Sequence, residues 1–263
     1  MSKSLKKRRR REEKKKGIYL LPNLLTSASL FCGFYGILAA TDHRFYAAAL
    51  AILVACVFDA LDGRVARSTK TTSRFGLEYD SLTDLVSFGI APSLLIFFWA
   101  LKPYGRLGWL AAFLYVTCGA LRLARFNAQV YFLDGRYFKG LPIPVAAALI
   151  STTVLLLHHL GESEPKGYIP MLAMIYGLSF LMVSTIKYNS LRELGLFRKR
   201  PFNFLVMAIL IMIVIATEPH VTMFFITLAY VISGPILHIS VSYKKYTRRG
   251  LQEETHETPI IKS

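Results

Sequence analysis

Residues 59–84 read DALDGRVARSTKTTSRFGLEYDSLTD and carry four aspartates in a regular spacing. Asp59 and Asp62 are three residues apart, and Asp80 and Asp84 are four apart, so on helices each pair shares one face. The stretch ends one apolar segment and begins the next, and the loop between them is short. We therefore expect the two faces to meet and to gather four carboxylates at one boundary of a membrane.

Four carboxylates at such a boundary would repel one another and would lose hydration. Two divalent cations would balance the four charges, and hard carboxylate oxygens favour Mg²⁺ or Mn²⁺. Two such ions can clamp a phosphoryl group and polarise it for in-line attack. Capping or ion pairing is the common role of a single aspartate at a helix end. It does not account for four in this register, so we predict that Asp59, Asp62, Asp80 and Asp84 bind metal.

The remaining residues of the stretch suit a pyrophosphate ligand. Gly63 and Gly76, and less completely Ala66, leave room where a ligand or another helix approaches closely. Arg67 offers a fork of donors to phosphate, and Ser73 lies in the same loop.

Eight apolar segments surround this stretch and indicate a polytopic all-α membrane protein. Hydrophobic residues make up 54% of the 263 residues, and no segment alternates like a barrel strand. Short connections predict one transmembrane domain over 18–243, between a basic tail (1–17) and a polar tail (244–263). Pro22 is expected to break the chain between an interfacial stretch and the first span. The predicted segments are 19–40, 45–65, 81–101, 107–126, 142–160, 168–187, 202–217 and 220–242.

The net charge of +16 is concentrated at one membrane face, and ten basic residues lie between Lys3 and Lys16. Such a run is typical of a tail beside anionic headgroups, and it lacks the aromatic residues of a nucleic-acid site. If all eight segments cross, 28 Lys and Arg lie on the side of the N-terminus and 4 on the other. This split predicts that both termini and the aspartates face the cytoplasm.

The pattern resembles the signature of the CDP-alcohol phosphotransferase family, whose positions are matched by Asp59, Asp62, Gly63, Ala66, Arg67, Gly76, Asp80 and Asp84. The resemblance implies a core of six helices, often dimeric, and two metals held by the aspartates. It also implies that Asp84 is the general base. Nucleotide contacts are implied for Gly63, Arg67 and Ser73, and for the N-terminal segment Pro22, Asn23, Leu24 and Leu25.

Other stretches resemble the bacterial serine-using branch of that family, in which two further helices are expected. They are residues 75–84 together with 86–89, residues 119–127 and 140–144, and a stretch from Ser184 to Ser190 that contains Tyr188. The resemblance implies an enzyme of the bacterial inner membrane that moves a phosphatidyl group from CDP-diacylglycerol to L-serine.

The serine carboxylate requires a cation, and Arg122 or Arg125 could supply it or could bind the lipid phosphate. Both arginines could equally be membrane anchors. Asn127 is a candidate for the acceptor pocket, and its alternative role is a helix cap. Ser87 and Glu78 are further polar residues near the site, and their alternative role is ordinary capping or pairing.

Other functions stay open at this point. The acceptor could be glycerol phosphate, inositol phosphate or ethanolamine, and a cation transporter or a membrane scaffold are further alternatives. A transporter would distribute acids along a pathway, whereas these cluster at one boundary. His158 and His159 fall at the opposite membrane face. Cys32, Cys56 and Cys118 have neither metal-ligand nor disulfide spacing.

Overall fold

The computed structural model describes residues 3–69, 73–130, 140–162, 168–186, 188 and 217–256, with the backbone alone for 3–20, 129–130 and 238–256. Within these ranges the chain forms seven long helices and no strand, which confirms the predicted all-α class. We name them α1 (Lys3–Thr41), α2 (Phe45–Thr69), α3 (Arg74–Tyr104), α4 (Arg106–Val130), α5 (Ile143–His159), α6 (Ile169–Val183) and α7 (Pro219–His256).

Five of the described helices contain stretches long and apolar enough to cross a membrane, as expected of an integral membrane protein. These stretches are Leu21–Thr41, Phe45–Thr69, Arg74–Tyr104, Arg106–Ala128 and Pro219–Leu237. Helices α5 and α6 are also apolar but have only 17 and 15 residues. The predicted segment 202–217 lies outside the described residues.

The expected break at Pro22 is wrong, because α1 continues through it from Lys3 to Thr41. A proline inside a helix removes one backbone hydrogen bond. Here the carbonyl that loses its donor is that of Ile18, close to the start of the apolar part of α1. Headgroups and water at that depth can satisfy the freed carbonyl, so the helix tolerates the proline.

Buried serines tie the first three helices together about one turn from the aspartates. Ser87 on α3 donates to the Ser29 carbonyl on α1 at 3.1 Å, and Ser29 donates to the Ala55 carbonyl on α2 at 3.1 Å. A Cβ at Gly33 would overlap Ser87, so glycine allows α1 and α3 this close approach. Ser87 therefore acts between helices rather than in the aspartate cavity.

Helix α3 changes its winding just after Asp84, with a π-helical turn over Leu85–Ile90. Pro92 follows and has no N–H, so the Phe88 carbonyl lacks its α-helical donor four residues on. The buried Tyr115 hydroxyl of α4 donates to that carbonyl at 3.1 Å. Helix α4 is thus fixed to the irregular part of α3 that follows Asp84.

Helix α5 lies in the middle of the bundle and packs against both α2 and α7. Its small and branched side chains, such as Ala146, Ala147 and Ile150, are fully buried. Before it, the Gly140 N–H donates to the Ile186 carbonyl and the Leu141 N–H to the Leu181 carbonyl. These bonds place the start of α5 beside the end of α6, at the same end of the bundle as the aspartates.

Candidate active site

The four aspartates meet where the end of α2 faces the beginning of α3. One carboxylate oxygen each from Asp59, Asp62 and Asp80 lies within 4.8 Å of the other two. Asp84 lines the same cavity and lies within electrostatic range of Asp59 and Asp80. The two helical faces therefore meet as the spacing of the aspartates predicts.

Two arginines offset part of this negative charge. Arg67 acts electrostatically on Asp59 and Asp62, and Arg122 acts on Asp84. Two guanidinium groups carry half of the charge needed to balance four carboxylates. Asp62 is only 5% exposed, so water does little to stabilise its charge. A cluster of this kind favours a bound cation.

The donor set fits a hard divalent metal. Each ligand atom in the cluster of Asp59, Asp62 and Asp80 is a carboxylate oxygen, the donor that Mg²⁺ and Mn²⁺ prefer. The three oxygens are close enough together to bind one ion. A soft metal would instead favour sulfur or imidazole ligands, and this cluster contains neither.

The sequence analysis missed Thr26, which holds one of these carboxylates. Its hydroxyl lies 2.8 Å from an Asp62 carboxylate oxygen and 3.0 Å from the Pro22 carbonyl oxygen. Thr26 is 4% exposed and belongs to α1, whereas Asp62 belongs to α2. The available signal was its position directly after Pro22-Asn23-Leu24-Leu25, at the depth where the first span begins.

The aspartates line an open cavity of about 450 Å³. All of α1 to α4 contribute to its wall, together with the start of α5. The lining residues are Pro22, Asn23, Thr26, Asp59, Ala60, Asp62, Gly63, Ala66, Arg67, Ser73, Gly76, Leu77, Asp80, Ser81, Asp84, Arg122, Leu123, Phe126, Pro142 and Pro144. This volume is in the range of small-molecule sites, and its wall combines charged groups with apolar surface.

Most of the residues expected to contact a nucleotide line this cavity. Pro22 and Asn23 do, as do Gly63, Arg67, Ser73 and Gly76. Leu24 and Leu25 are not among the lining residues, and Leu24 is 63% exposed on the outer surface of α1.

Ser73 has a structural role as well, because it caps the N-terminus of α3. Its side-chain oxygen accepts a hydrogen bond from the Gly76 N–H at 2.9 Å. A Cβ at Gly76 would lie 3.1 Å from the Ser73 hydroxyl oxygen and 3.4 Å from the Asn23 amide oxygen. Glycine therefore lets α1 approach the start of α3 at the cavity wall.

The three residues considered for the acceptor pocket separate in the structure. Arg122 lines the cavity. Arg125 does not, and its guanidinium donates to the Val183 carbonyl at the end of α6, at 3.0 Å. The Asn127 amide donates to Glu78 at 3.2 Å, and its oxygen lies 3.2 Å from the Ser81 hydroxyl, so Asn127 and Glu78 join α4 to α3.

The remaining histidines and cysteines are not among the residues that line the cavity. His159 is 3.4 Å from Glu218, at the end of α5 opposite the aspartates, and His158 lies against the Tyr46 ring. Cys32, Cys56 and Cys118 are free. Among the described residues, the aspartates thus form the cluster suited to metal.

Fold and site together define the class: a polytopic helical membrane protein with an acidic cavity, suited to a divalent metal, at one end of its helices. Residues 19–183 match the family described as CDP-alcohol phosphatidyltransferase. This match covers more than half of the chain, and the chain therefore belongs to that family.

Curated relatives point to one branch of the family. The chain is 41% identical over 179 residues to a CDP-diacylglycerol–serine O-phosphatidyltransferase of Helicobacter pylori, covering 67% of this chain and 74% of the relative. It is 40% identical over 177 residues to an archaetidylserine synthase of Methanothermobacter thermautotrophicus, covering 66% and 72%. A CDP-diacylglycerol–serine O-phosphatidyltransferase of Bacillus subtilis is 37% identical over 178 residues, covering 66% and 92%.

Proposed function

We propose that this protein transfers the phosphatidyl group from CDP-diacylglycerol to the hydroxyl of L-serine, giving phosphatidylserine and CMP. The observation that carries the proposal is the convergence of the four aspartates in a cavity that also contains Arg67 and Arg122. The names of the relatives support serine as the acceptor, since two of them are serine transferases and the third is named for a serine product.

In this proposal Asp59, Asp62 and Asp80 hold two divalent cations, Mg²⁺ or Mn²⁺, and Asp84 is a ligand of one. When bound, the cations offset the charge of the pyrophosphate and polarise the reacting phosphoryl group. Thr26 orients the Asp62 carboxylate by donating to it. The acyl chains of the donor lipid stay in the bilayer, and its pyrophosphate lies at the membrane boundary.

Each polar group of the cavity then has a task. Arg67 binds the pyrophosphate with Gly63, Ser73 and Gly76 around it, while Pro22 and Asn23 border the nucleotide. Arg122 binds the carboxylate of serine.

Asp84 accepts the proton of the serine hydroxyl while the serine oxygen forms a bond to the β-phosphorus, the phosphorus that carries the lipid. The bond from that phosphorus to the oxygen of CMP breaks, and CMP leaves. A route through a covalent enzyme intermediate is the alternative. Inversion at phosphorus fits direct transfer, and retention fits two steps.

The proposal includes an orientation and an assembly. Eight spans with both termini and the cavity at the cytoplasmic face of a bacterial inner membrane agree with the 28 to 4 distribution of Lys and Arg. A homodimer follows from the family resemblance, and native mass spectrometry from detergent would test it.

The first test is CMP release by the purified protein. The assay supplies CDP-diacylglycerol, Mg²⁺ or Mn²⁺, and each candidate alcohol in turn, with Asp80→Asn as the inactive control. Release with serine alone, abolished in the variant, is expected. Release with another alcohol would keep the mechanism and replace the acceptor. The proposed enzymatic function would be rejected if no alcohol gave CMP release from protein whose thermal unfolding transition shows that it is folded.

A further inference from the structure

Ser81, on the wall of the aspartate cavity, belongs to a hydrogen-bonded network of three side chains. Its hydroxyl lies 3.2 Å from the Asn127 amide oxygen of α4, and the Asn127 amide nitrogen lies 3.2 Å from the Glu78 carboxylate, back on α3. Ser81 is among the residues that line the cavity, whereas Asn127 and Glu78 are not. The network therefore supports one polar group of the cavity wall from outside.

The chemistry of Glu78 fixes the orientation of the Asn127 amide. A carboxylate can only accept hydrogen bonds, so the amide turns its NH2 group toward Glu78. The amide oxygen, which can also only accept, is then the atom that meets Ser81. The Ser81 hydroxyl must therefore be the donor in this contact.

The second neighbour of the Ser81 hydroxyl requires a donor as well. The Leu77 carbonyl, one turn earlier in α3, lies 3.1 Å from the hydroxyl oxygen and can only accept. A hydroxyl has one proton and two lone pairs, so both neighbours share the proton and neither uses a lone pair. The Ser81 oxygen is thus left as a hydrogen-bond acceptor on the cavity wall.

An acceptor at this position suits the ammonium group of an amino alcohol, which has three donors and no acceptor. Ser81 precedes Asp84, the proposed base, by three residues, so the two share one face of α3. Arg122, the proposed partner of the serine carboxylate, lines the same cavity from α4. Hydroxyl, carboxylate and ammonium of serine then each have a complementary side chain in one cavity.

We propose that Ser81 binds the ammonium group of the acceptor alcohol, and that Asn127 and Glu78 are positioning residues that keep its lone pairs free for this contact. The inference rests on the proposed transfer to serine and deepens it. It makes the cavity selective for an alcohol that carries an ammonium group over glycerol phosphate or inositol phosphate.

Steady-state kinetics of Ser81→Ala test the contact directly. Loss of the acceptor should raise the KM for serine about tenfold, because a hydrogen bond to a charged group is lost. The KM for CDP-diacylglycerol should stay within about twofold of the original. Ser93→Ala is the matched control, since the Ser93 hydroxyl donates to the Ile90 carbonyl of the same helix and Ser93 does not line the cavity. It should change neither constant.

Two competing alcohols separate the ammonium end of serine from its carboxylate end. Serinol keeps the ammonium and lacks the carboxylate, and 3-hydroxypropionate keeps the carboxylate and lacks the ammonium. In Ser81→Ala the inhibition constant of serinol should rise about tenfold, and that of 3-hydroxypropionate should stay unchanged. A general distortion of the pocket would weaken both inhibitors.

A second variant tests the orientation of the Asn127 amide without altering the cavity wall. In Glu78→Gln the new side-chain amide can donate to Asn127, whose own amide can then turn its NH2 group toward Ser81. That group would occupy a Ser81 lone pair, so the KM for serine should rise, by less than in Ser81→Ala. Glu162→Gln is the control, because Glu162 is exposed and follows α5 at the end of the bundle opposite the aspartates.

Equal weakening of both inhibitors, or an unchanged serine KM in Ser81→Ala, would overturn the contact with the ammonium group while leaving the proposed transfer intact. An unchanged serine KM in Glu78→Gln would overturn the positioning role of Asn127 and Glu78. If the original protein releases no CMP with serine, the proposed function fails instead, so the failures are distinguishable.

Discussion

The Asp62 carboxylate is held by a neutral partner from another helix, the Thr26 hydroxyl, at 2.8 Å. Thr26→Val keeps the shape of the side chain and removes this donor. Partners that orient a metal ligand typically contribute about tenfold or more to metal affinity or activity. We therefore expect the concentration of Mg²⁺ or Mn²⁺ that gives half-maximal CMP release to rise about tenfold in the variant.

Thr117→Val is the matched control, because the Thr117 hydroxyl donates to the Phe113 carbonyl one turn earlier in the same helix, α4. It should leave the metal dependence unchanged. A Thr26→Val enzyme with an unaltered metal titration would show that Asp62 does not need this donor.

Residue spacing predicted the contacts within the signature stretch and not those across the bundle. Asp59 with Asp62, and Asp80 with Asp84, share faces through helical geometry alone. Thr26 and Asp62 are 36 residues apart, so their contact depends on how α1 packs against α2. The same holds for Arg125, whose partner Val183 is 58 residues away.

Among the helices, one arrangement occurs twice: a proline leaves a buried carbonyl without its donor, and a distant tyrosine supplies one. On α3, Pro92 leaves the Phe88 carbonyl without a donor, and the Tyr115 hydroxyl of α4 supplies one. On α7, Pro235 does the same to the Val231 carbonyl, and the Tyr188 hydroxyl supplies the donor. Tyr115→Phe would leave the Phe88 carbonyl unsatisfied in the π-helical turn that follows Asp84, at a cost of about 1–3 kcal/mol. We expect the Tm in detergent to fall by a few degrees, as measured by thermal unfolding.

Tyr176→Phe on α6 removes an exposed tyrosine hydroxyl and should leave the Tm unchanged. An equal Tm for Tyr115→Phe would mean that the Phe88 carbonyl finds another donor. Pro92 and Tyr115 are visible in the sequence, but their pairing is not, because it requires the crossing of α3 and α4. Sequence periodicity predicted where the helices lie. It did not predict the π-helical turn over Leu85–Ile90 or the continuation of α1 back to Lys3.

At the scale of the whole molecule, each described helix end lies either at the end of the bundle that holds the aspartates or at the opposite end. This placement bears on the number of membrane spans. Val183 ends α6 beside Arg125, at the level of the aspartates. Glu218 precedes α7 beside His159, at the opposite level. A chain that leaves α6 at one level and enters α7 at the other fits an odd number of crossings between them. The eight-span proposal has one crossing there, at the predicted segment 202–217.

Helix α1 adds a length argument. Its 39 residues extend roughly 58 Å at 1.5 Å per residue. The hydrocarbon core of a bilayer is only about 30 Å thick. Pro22 and Asn23 line the aspartate cavity near the middle of this helix, so the basic part before them continues beyond the aspartate level. Ten Lys and Arg at that position suit the anionic cytoplasmic surface.

This arrangement predicts which single cysteines a membrane-impermeant thiol reagent reaches once Cys32, Cys56 and Cys118 are replaced by alanine. Lys102→Cys lies at the end of α3 away from the aspartates, and Ser68→Cys lies at the aspartate end of α2; both positions are exposed. In intact bacterial spheroplasts the reagent should label Lys102→Cys and spare Ser68→Cys, and in inside-out vesicles the pattern should reverse. Labelling of Ser68→Cys in sealed spheroplasts would instead put the cavity on the outer face, away from a cytoplasmic supply of CDP-diacylglycerol, and would contradict the proposed orientation.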